Sequence, residues 1–218
     1  KALEGLQVDD RPTAKMVACL DLVESLVAQG KSVIVWCIFK RSIRNVVREL
    51  RERGITARAI SGSTDMPTRA RVIDSFKAGE TSVLVTNPHT LAESVSLHGV
   101  CHDAVYFECS YNLVHLLQSK DRIHRLGLPQ EQYTQYHYLR AVYERRGGIW
   151  SLDRNIYERL QYKEQVMLDS IDRGTLEPGY TDERDLELVF KGLFDDEEQR
   201  NEVNDQDAAG DTQERKEM

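Results

Sequence analysis

The feature of this 218-residue sequence that most constrains its fold is an alternation of short apolar runs with amphipathic stripes. Residues 32–39, SVIVWCIF, form a continuous apolar and largely β-branched run, which is typical of a strand buried on both faces. An amphipathic stripe at helical spacing follows from Ile43 to Leu50. The same reasoning predicts further strands at 57–60, 82–86, 104–108 and 133–139, and further helices at 13–29, 67–77, 112–123 and 151–172.

Strands that alternate with single helices pair in parallel, because the helix carries the chain back to the start of the sheet. We therefore expect a three-layer α/β/α domain with a mainly parallel sheet, covered on both faces. Ligands of such sheets bind at the carboxyl ends of the strands. In this sequence that edge includes residues 39–41, 61–64, 86–90 and 108–111.

Other sequence features indicate the cellular compartment in which the chain is expected. No run of about 18 apolar residues is present, so no membrane span is predicted. The sequence begins at Lys1 without a signal peptide, and its four cysteines have no CxxC spacing. Cys37 and Cys109 lie in or beside apolar runs and are predicted to be core thiols. A cytoplasmic fragment of a longer protein is the expectation.

Charge divides the sequence unevenly. Residues 177–218 contain 15 acidic and 5 basic residues, a net charge of −10, whereas the preceding residues carry a net charge of +3. From Asp195 onward this segment has almost no apolar residues, so we predict that the tail is mostly disordered. The predicted organisation is a linker at 1–12, an α/β lobe at 13–140, a long-helix region at 141–176 and an acidic tail at 177–218.

A compact cluster of charged residues occurs at 118–127, which reads QSKDRIHRLG. If the predicted helix continues, Arg122 and Arg125 lie three residues apart on one helical face. Two guanidinium groups so placed suit the outer oxygens of a triphosphate, and Asp121 is suited to orient one of them. The simpler alternative is an exposed amphipathic helix end.

The densest basic cluster spans residues 40–71, with nine bases against three acids. Two interpretations of this cluster are open: it binds a phosphate backbone, or it is a helix face exposed to solvent. The sequence contains neither a GxxxxGK[ST] phosphate loop nor an Asp-Glu box after a strand. Cys101, His102, Cys109 and His115 lack zinc-site spacing, and no metal site is predicted. The chain alone is therefore not expected to hydrolyse ATP.

Several segments, taken in order, resemble helicase motifs. Residues 32–37 are similar to motif IV, residues 83–97 to motif V and residues 118–127 to motif VI. The stretch ISGST at 60–64, followed by Arg69 and Phe76, and residues 108–112 also match stretches of these proteins. Residues 156–169 are similar to their brace helix. Over about Thr13–Asp172 the sequence resembles the C-terminal RecA-like lobe of superfamily-two helicases, specifically bacterial Swi/Snf-type DNA-dependent ATPases.

The resemblance implies roles for individual residues. Arg122 and Arg125 would reach across a cleft to ATP phosphates. Residues near the ATP site or coupling it to nucleic acid would be Gln118, Asp121, Glu93 and Ser94. Residues on the nucleic-acid backbone would be Lys40, Arg41, Gly62, Ser63, Thr64, Arg69 and Thr86, through contacts that do not depend on base identity.

The implied function is the second motor lobe of an enzyme that couples ATP hydrolysis to translocation on double-stranded DNA. The implied partners are the backbone of that DNA and an N-terminal RecA-like lobe of the same polypeptide, which would bring the binding groups for ATP and Mg²⁺. The fragment itself is expected to be monomeric and inactive, with no tightly bound cofactor. Its motif V departs from the family pattern, because residues 87–97 contain no glycine.

Two alternatives remain open. The first is the C-terminal lobe of an RNA helicase, although Asp121 and His124 stand where those enzymes usually have glycines. The second is a non-catalytic α/β module that binds nucleic acid or protein through the bases between Lys40 and Arg71.

Overall fold

The computed structural model describes residues 12–91, 95–124, 131–145 and 148–173. Contacts divide the chain into two compact units, 1–141 and 142–218. The helices are α1 (Ala14–Ala28), α2 (Lys40–Glu52), α3 (Met66–Lys77), α4 (Leu113–Lys120) and α5 (Leu152–Arg173). The strands are β1 (Val33–Trp36), β2 (Ala57–Ile60), β3 (Val83–Thr86), β4 (Asp103–Tyr106), β5 (Gln135–Tyr138), β6 (Tyr143–Arg145) and β7 (Gly148–Trp150).

The first unit is built on a five-stranded sheet with the order β2-β3-β1-β4-β5. Every pairing in this sheet is parallel, and Val33 of β1 lies between Val83 of β3 and Asp103 of β4. The prediction of a mainly parallel sheet is confirmed. Because β1 is central and β2 lies at one end of the order, the carboxyl ends of β1, β3 and β4 are adjacent.

Helices cover both faces of the sheet. Val33 and Val35 of β1 belong to a core that also contains buried residues of α1 and α2. Strand residues alternate between faces, so the equally buried Ile34 and Trp36 point to the opposite side. Tyr106 of β4, which pairs with Trp36, lies on that opposite side, and its hydroxyl is 2.7 Å from Ser119 Oγ of α4. The result is the predicted three-layer α/β/α arrangement.

The first turns of two helices follow local sequence signals. Thr13 Oγ1 accepts a hydrogen bond from the amide of Met16 at the start of α1, and the Asp65 carboxylate accepts one from the amide of Thr68 at the start of α3. Pro67 occupies the first turn of α3, where its missing N–H has no cost. The helix start predicted from Asp65 and Pro67 is confirmed.

Several predicted element ends are wrong. The strand expected over residues 32–39 is limited to Val33–Trp36. The strand expected to reach residue 108 ends at Tyr106, because the amides of Phe107 and Glu108 both donate to the Trp36 carbonyl and leave the regular ladder. The helix expected to reach residue 123 ends at Lys120. Beyond it the chain turns, and the carbonyl of Arg122 accepts a hydrogen bond from the amide of Leu97 at 2.8 Å.

The cysteines divide between two environments. Cys37 is buried, as predicted, and its burial raises the pKa of the thiol well above its ordinary value. The prediction of a core position is wrong for Cys109, which is half-buried, because it follows the end of β4.

The second unit contains a short antiparallel hairpin of β6 and β7 and the long helix α5. The hairpin was not predicted, since each strand has three residues and the sequence offers only a glycine interruption there. The long helix predicted at 151–172 is confirmed at Leu152–Arg173. Residues 1–11 of the linker predicted at 1–12, and the whole acidic tail predicted at 177–218, lie outside the described residues. Across the ranges that are described, no helix is both long and apolar enough to cross a bilayer.

Candidate nucleotide and nucleic-acid site

Arg122 lies in a turn directly after α4 rather than in the helix. The side chain of Asn112 caps the start of α4 by accepting from the amide of Val114 at 2.9 Å, and Asp121 forms its C-cap. The condition for a shared helical face of Arg122 and Arg125, that the helix continues through them, is not met, because α4 ends two residues before Arg122. Arg125 itself lies outside the described residues.

Backbone carbonyl groups hold the Arg122 guanidinium. Its Nε donates to the Gln118 carbonyl at 3.2 Å, and its Nη1 donates to the Val95 carbonyl at 3.4 Å. Together with the bond from the Leu97 amide, these contacts join the turn after α4 to residues 95–97. The predicted residues Glu93 and Ser94 directly precede this segment and lie outside the described residues. The structure thus brings the segments similar to motifs V and VI together.

The end of α4 is anchored on β5. The Tyr136 hydroxyl donates to the Lys120 carbonyl at 3.4 Å. Burial, with a smaller contribution from the nearby charge of Asp121, raises the pKa of Tyr136 to about 12. Gln118 is half-buried and Asp121 is exposed. This anchoring restricts the position of the turn that carries Arg122.

Exposed polar and cationic residues follow two strands at the carboxyl edge. Lys40 and Arg41 begin α2 just beyond β1 and are exposed. In the loop after β2, Gly62 and Ser63 are exposed, while Thr64 Oγ1 accepts from the amide of Ser61 at 3.0 Å. These groups are available for contacts with an anionic backbone.

Thr86 and Arg69 are placed differently from the other predicted nucleic-acid residues. Thr86 is fully buried at the end of β3, so its hydroxyl is not presented at the surface. Arg69 is half-buried, and its Nη1 donates to the Thr90 carbonyl at 3.2 Å. Arg69 therefore ties α3 to the loop after β3.

Glu108 makes contacts that sequence reasoning missed. One carboxylate oxygen accepts from the amides of Ile38 and Phe39 at 2.8 and 3.1 Å, and the other accepts from Ser42 Oγ at 2.6 Å. The residue at the N-cap of α2, Phe39, has no capping side chain of its own. A carboxylate at a helix N-terminus is stabilised by the helix dipole and by the amides left unpaired there. Glu108 thus fixes the helix start that presents Lys40 and Arg41.

The loop beyond β3 contacts both the loop beyond β1 and the first turn of α4. Asn87 Nδ2 donates to the Ile38 carbonyl at 2.9 Å. The rings of His89 and His115 meet edge to face, with centroids 5.5 Å apart. Partial burial and the neighbouring His89 lower the pKa of His115. In the part of the chain that is described, no three His, Cys, Asp or Glu residues form a metal-binding group.

Known proteins resemble this chain in sequence and in fold. A model of the helicase conserved C-terminal domain matches residues 14–127. The ATP-dependent RNA helicase DBP3 of Chaetomium globosum is 33% identical over 100 residues, which are 46% of this chain and 16% of that protein. The chain spans between 16% and 29% of the length of the curated relatives it matches.

Two solved structures share the fold. The C-terminal part of the Fun30 ATPase domain gives a TM-score of 0.58 at 18% identity, covering 71% of this chain and 47% of that one. Dbp5 of S. cerevisiae, bound to RNA and ADP BeF3, gives a TM-score of 0.54 at 17% identity, covering 68% of this chain and 35% of that one. At these identities the likeness concerns the fold alone.

The family match covers more than half of the chain and runs from the start of α1 past the turn that carries Arg122. The Swi/Snf type expected from the sequence is not confirmed, because the curated relative described above is an RNA helicase. The chain belongs to the helicase conserved C-terminal domain family of superfamily-two helicases and has its RecA-like parallel α/β fold.

Proposed function

We propose that the chain is the C-terminal lobe of an ATP-dependent RNA helicase, in which Arg122 stabilises negative charge on the phosphates of ATP. The observation that carries this proposal is the seating of Arg122 on the carbonyl groups of Gln118 and Val95, within the region matched to the helicase family. The names of the relatives favour RNA over the duplex DNA implied by the Swi/Snf resemblance.

Arg122 suits the chemistry of phosphoryl transfer. That reaction depends mainly on positioning and on stabilising charge at the transferred group, since the protein forms no bond itself. Two backbone carbonyl groups already restrict the guanidinium, so less side-chain freedom is lost when it meets a phosphate. An equivalent role for Arg125 stays a prediction.

The remaining groups that ATP needs would come from a second lobe. The sequence has no phosphate-binding loop of the GxxxxGK[ST] type. The described residues offer no cluster of carboxylates for Mg²⁺. In this proposal an N-terminal lobe of the whole protein binds ATP and Mg²⁺, and the present lobe adds Arg122 when the two close.

The exposed groups at the carboxyl edge suit the nucleic-acid side of the proposal. Lys40, Arg41, Gly62 and Ser63 offer cationic side chains, a hydroxyl and backbone amides. Such groups recognise phosphate and sugar and carry no direct sequence information. A motor that moves along RNA requires contacts of this kind at each step.

Translocation on duplex DNA is the second candidate. It is favoured by Asp121 and His124, which stand where RNA helicases usually have glycines. His124 is exposed, and its Nδ1 lies 3.4 Å from Thr134 Oγ1. Both side chains are therefore accommodated by the fold in the turn around Arg122.

The test measures ATP turnover of the whole protein with single-stranded RNA, duplex RNA or duplex DNA. Arg122→Ala is expected to lower stimulated turnover by about 10³-fold, by analogy with other arginines that reach transferring phosphates. Its affinity for nucleic acid should change little, because the contacts at the carboxyl edge remain. Lys77→Ala, at the exposed end of α3, is the matched control.

Each outcome has a defined meaning. Stimulation by RNA supports the first candidate, and stimulation by duplex DNA alone replaces it with the second. Unchanged turnover in Arg122→Ala refutes the role of that residue for either substrate. Nucleic-acid binding should also weaken steeply with salt, because cationic contacts to phosphates release counterions.

A further inference from the structure

A groove of about 660 Å³ runs along the outer edge of β2, and we call it the β2 edge groove. Side chains of α2 and α3 form its two sides, including Arg44, Val47 and Val72, and Ala59 of β2 lies between them. β2 stands at the end of the strand order, so the groove follows an edge that has no neighbouring strand in the described sheet.

The backbone of β2 presents hydrogen-bonding groups to this groove. In a parallel pair, alternate residues bond to the neighbouring strand. The amide of Val83 donates to the Thr56 carbonyl, so Thr56 and Arg58 face β3. Ala57 and Ala59 therefore face outward, and the Ala57 carbonyl accepts a hydrogen bond from Arg51 Nε at 2.9 Å. The amide and carbonyl of Ala59 remain directed to the groove.

Arginine side chains of α2 and β2 make one side of the groove cationic, whereas α3 contributes Thr68 and Val72. Arg44, Arg48, Arg51 and Arg58 all line it. Arg48 pairs with Glu49 at 2.7 Å and with Glu52, an acidic residue that also lines the groove, at 3.8 Å. Arg44 and Arg58 are exposed and make no ion pair within the described ranges. The positive charge beside the strand edge is therefore only partly compensated.

We propose that the β2 edge groove binds an extended acidic peptide of a partner protein, which adds a strand beside β2. An added strand would pair with Ala59, its acidic side chains would meet Arg44 and Arg58, and its apolar side chains would cover Val47 and Val72. Main-chain pairing of this type supplies affinity, and the side chains on either face supply specificity.

The composition of the groove favours a peptide over nucleic acid. Its lining contains no aromatic side chain on which a base would stack, and three of its nine residues are apolar, namely Val47, Ala59 and Val72. Its lining begins at Arg44, one turn beyond Lys40 and Arg41, and includes none of the residues assigned to RNA. This surface is thus distinct from the one assigned to RNA.

The probe is a short fluorescent peptide that alternates aspartate with valine, titrated against the full chain and followed by anisotropy. Two controls are a peptide of the same composition with all its acids at one end and a single-stranded RNA of the same charge. Arg44→Glu and Arg58→Glu should each weaken binding of the alternating peptide by about tenfold, the loss expected for one charge-assisted contact. Lys77→Glu, outside the groove, controls for net charge.

A backbone variant tests the pairing itself. Ala59→Pro removes the N–H group of residue 59 that faces the groove. The variant should then bind the alternating peptide no more tightly than the peptide with all its acids at one end. Circular dichroism establishes whether this variant folds, and the two arginine variants decide the question if it does not. Equal binding of both peptides, or no loss in the arginine variants, would overturn the proposal. A parallel loss of RNA binding in Arg44→Glu and Arg58→Glu would do the same, because it would assign the groove to nucleic acid.

Discussion

Two strand-to-helix turns at the same edge of the sheet are stabilised in opposite ways. Between β2 and α3 the chain uses its own neighbours, since Asp65 caps α3 and Thr64 Oγ1 accepts from the Ser61 amide. Between β1 and α2 the turn has no capping side chain of its own, and Glu108 at the end of β4 supplies the carboxylate. One turn is local and the other depends on a contact across 70 residues.

This difference bears on how the two turns serve the proposed site. The loop after β2 can rearrange on binding without disturbing other strands, because its hydrogen bonds are internal. The start of α2 is coupled to β4, and through Asn87 it is coupled to the loop after β3. Lys40 and Arg41 are therefore carried on a preorganised turn, whereas Gly62 and Ser63 are carried on an adaptable one.

Removing the distant cap should have the largest effect. Glu108→Ala leaves the amides of Ile38 and Phe39 and the Ser42 hydroxyl without their acceptor, so the free energy of unfolding should fall by about 3 kcal/mol. Glu108→Gln keeps one acceptor oxygen and should cost about half as much. Urea denaturation measures both, with Glu80→Gln as an exposed control. A loss no greater than that of the control would show that the two turns do not differ in this way.

Removing the local cap should have a smaller effect. Asp65→Ala is expected to lower the midpoint of thermal unfolding by less than Glu108→Ala does, because Asp65 is exposed. The hydrogen bond from the Thr68 amide lowers the pKa of Asp65. The stabilisation of the folded state by the Asp65 carboxylate is therefore fully present above the ordinary carboxyl pKa, and it is lost as the pH falls through the lowered pKa.

Asp65→Asn separates these two contributions. Asparagine still caps the helix, so stability near neutral pH should be largely kept while the acid-dependent part disappears. Thermal unfolding followed against pH gives both quantities. An unchanged acid limb in Asp65→Asn would assign that limb to other carboxylates.

The smallest effect concerns the histidines. Partial burial lowers the pKa of His102 and, together with His89, that of His115. The two histidines bind protons more readily in the unfolded chain than in the folded one. The free energy of unfolding should therefore be at its full value above about pH 6.5 and should decline as the pH falls below it. Denaturation at a series of pH values measures the decline, and His115→Gln should reduce it. Proton titration of His115 at or above its ordinary pKa by NMR would contradict this assignment.

Much of the fold could be predicted because its signals are local. The apolar run at β1, the cap and proline of α3 and the stripe of α5 each specify one element from neighbouring residues. The end of α4 could not be predicted in this way, because the chain after Lys120 leaves the helix to bond with Leu97. The β6–β7 hairpin was missed because three-residue strands carry too little periodicity to identify them.

For the site, the sequence predicted which residues would meet a nucleotide and nucleic acid, but it did not predict the burial and contacts of some of them. The predicted surface role of Thr86 rests on a hydroxyl that the fold buries, and Arg69 is engaged with the Thr90 carbonyl. Both outcomes depend on how the loop after β3 packs, which its own residues do not specify.

By itself the sequence determined the order of the helices and strands that form the parallel sheet, their parallel pairing and the edge at which ligands are expected, since hydrophobic periodicity and short crossovers leave few other solutions. Tertiary structure alone decided that Glu108 caps α2, that Arg122 rests on the Val95 carbonyl, and that β2 forms an edge of the described sheet beside the arginines of α2. These features depend on which strands become neighbours, and that is settled by packing of the whole sheet rather than by any local pattern.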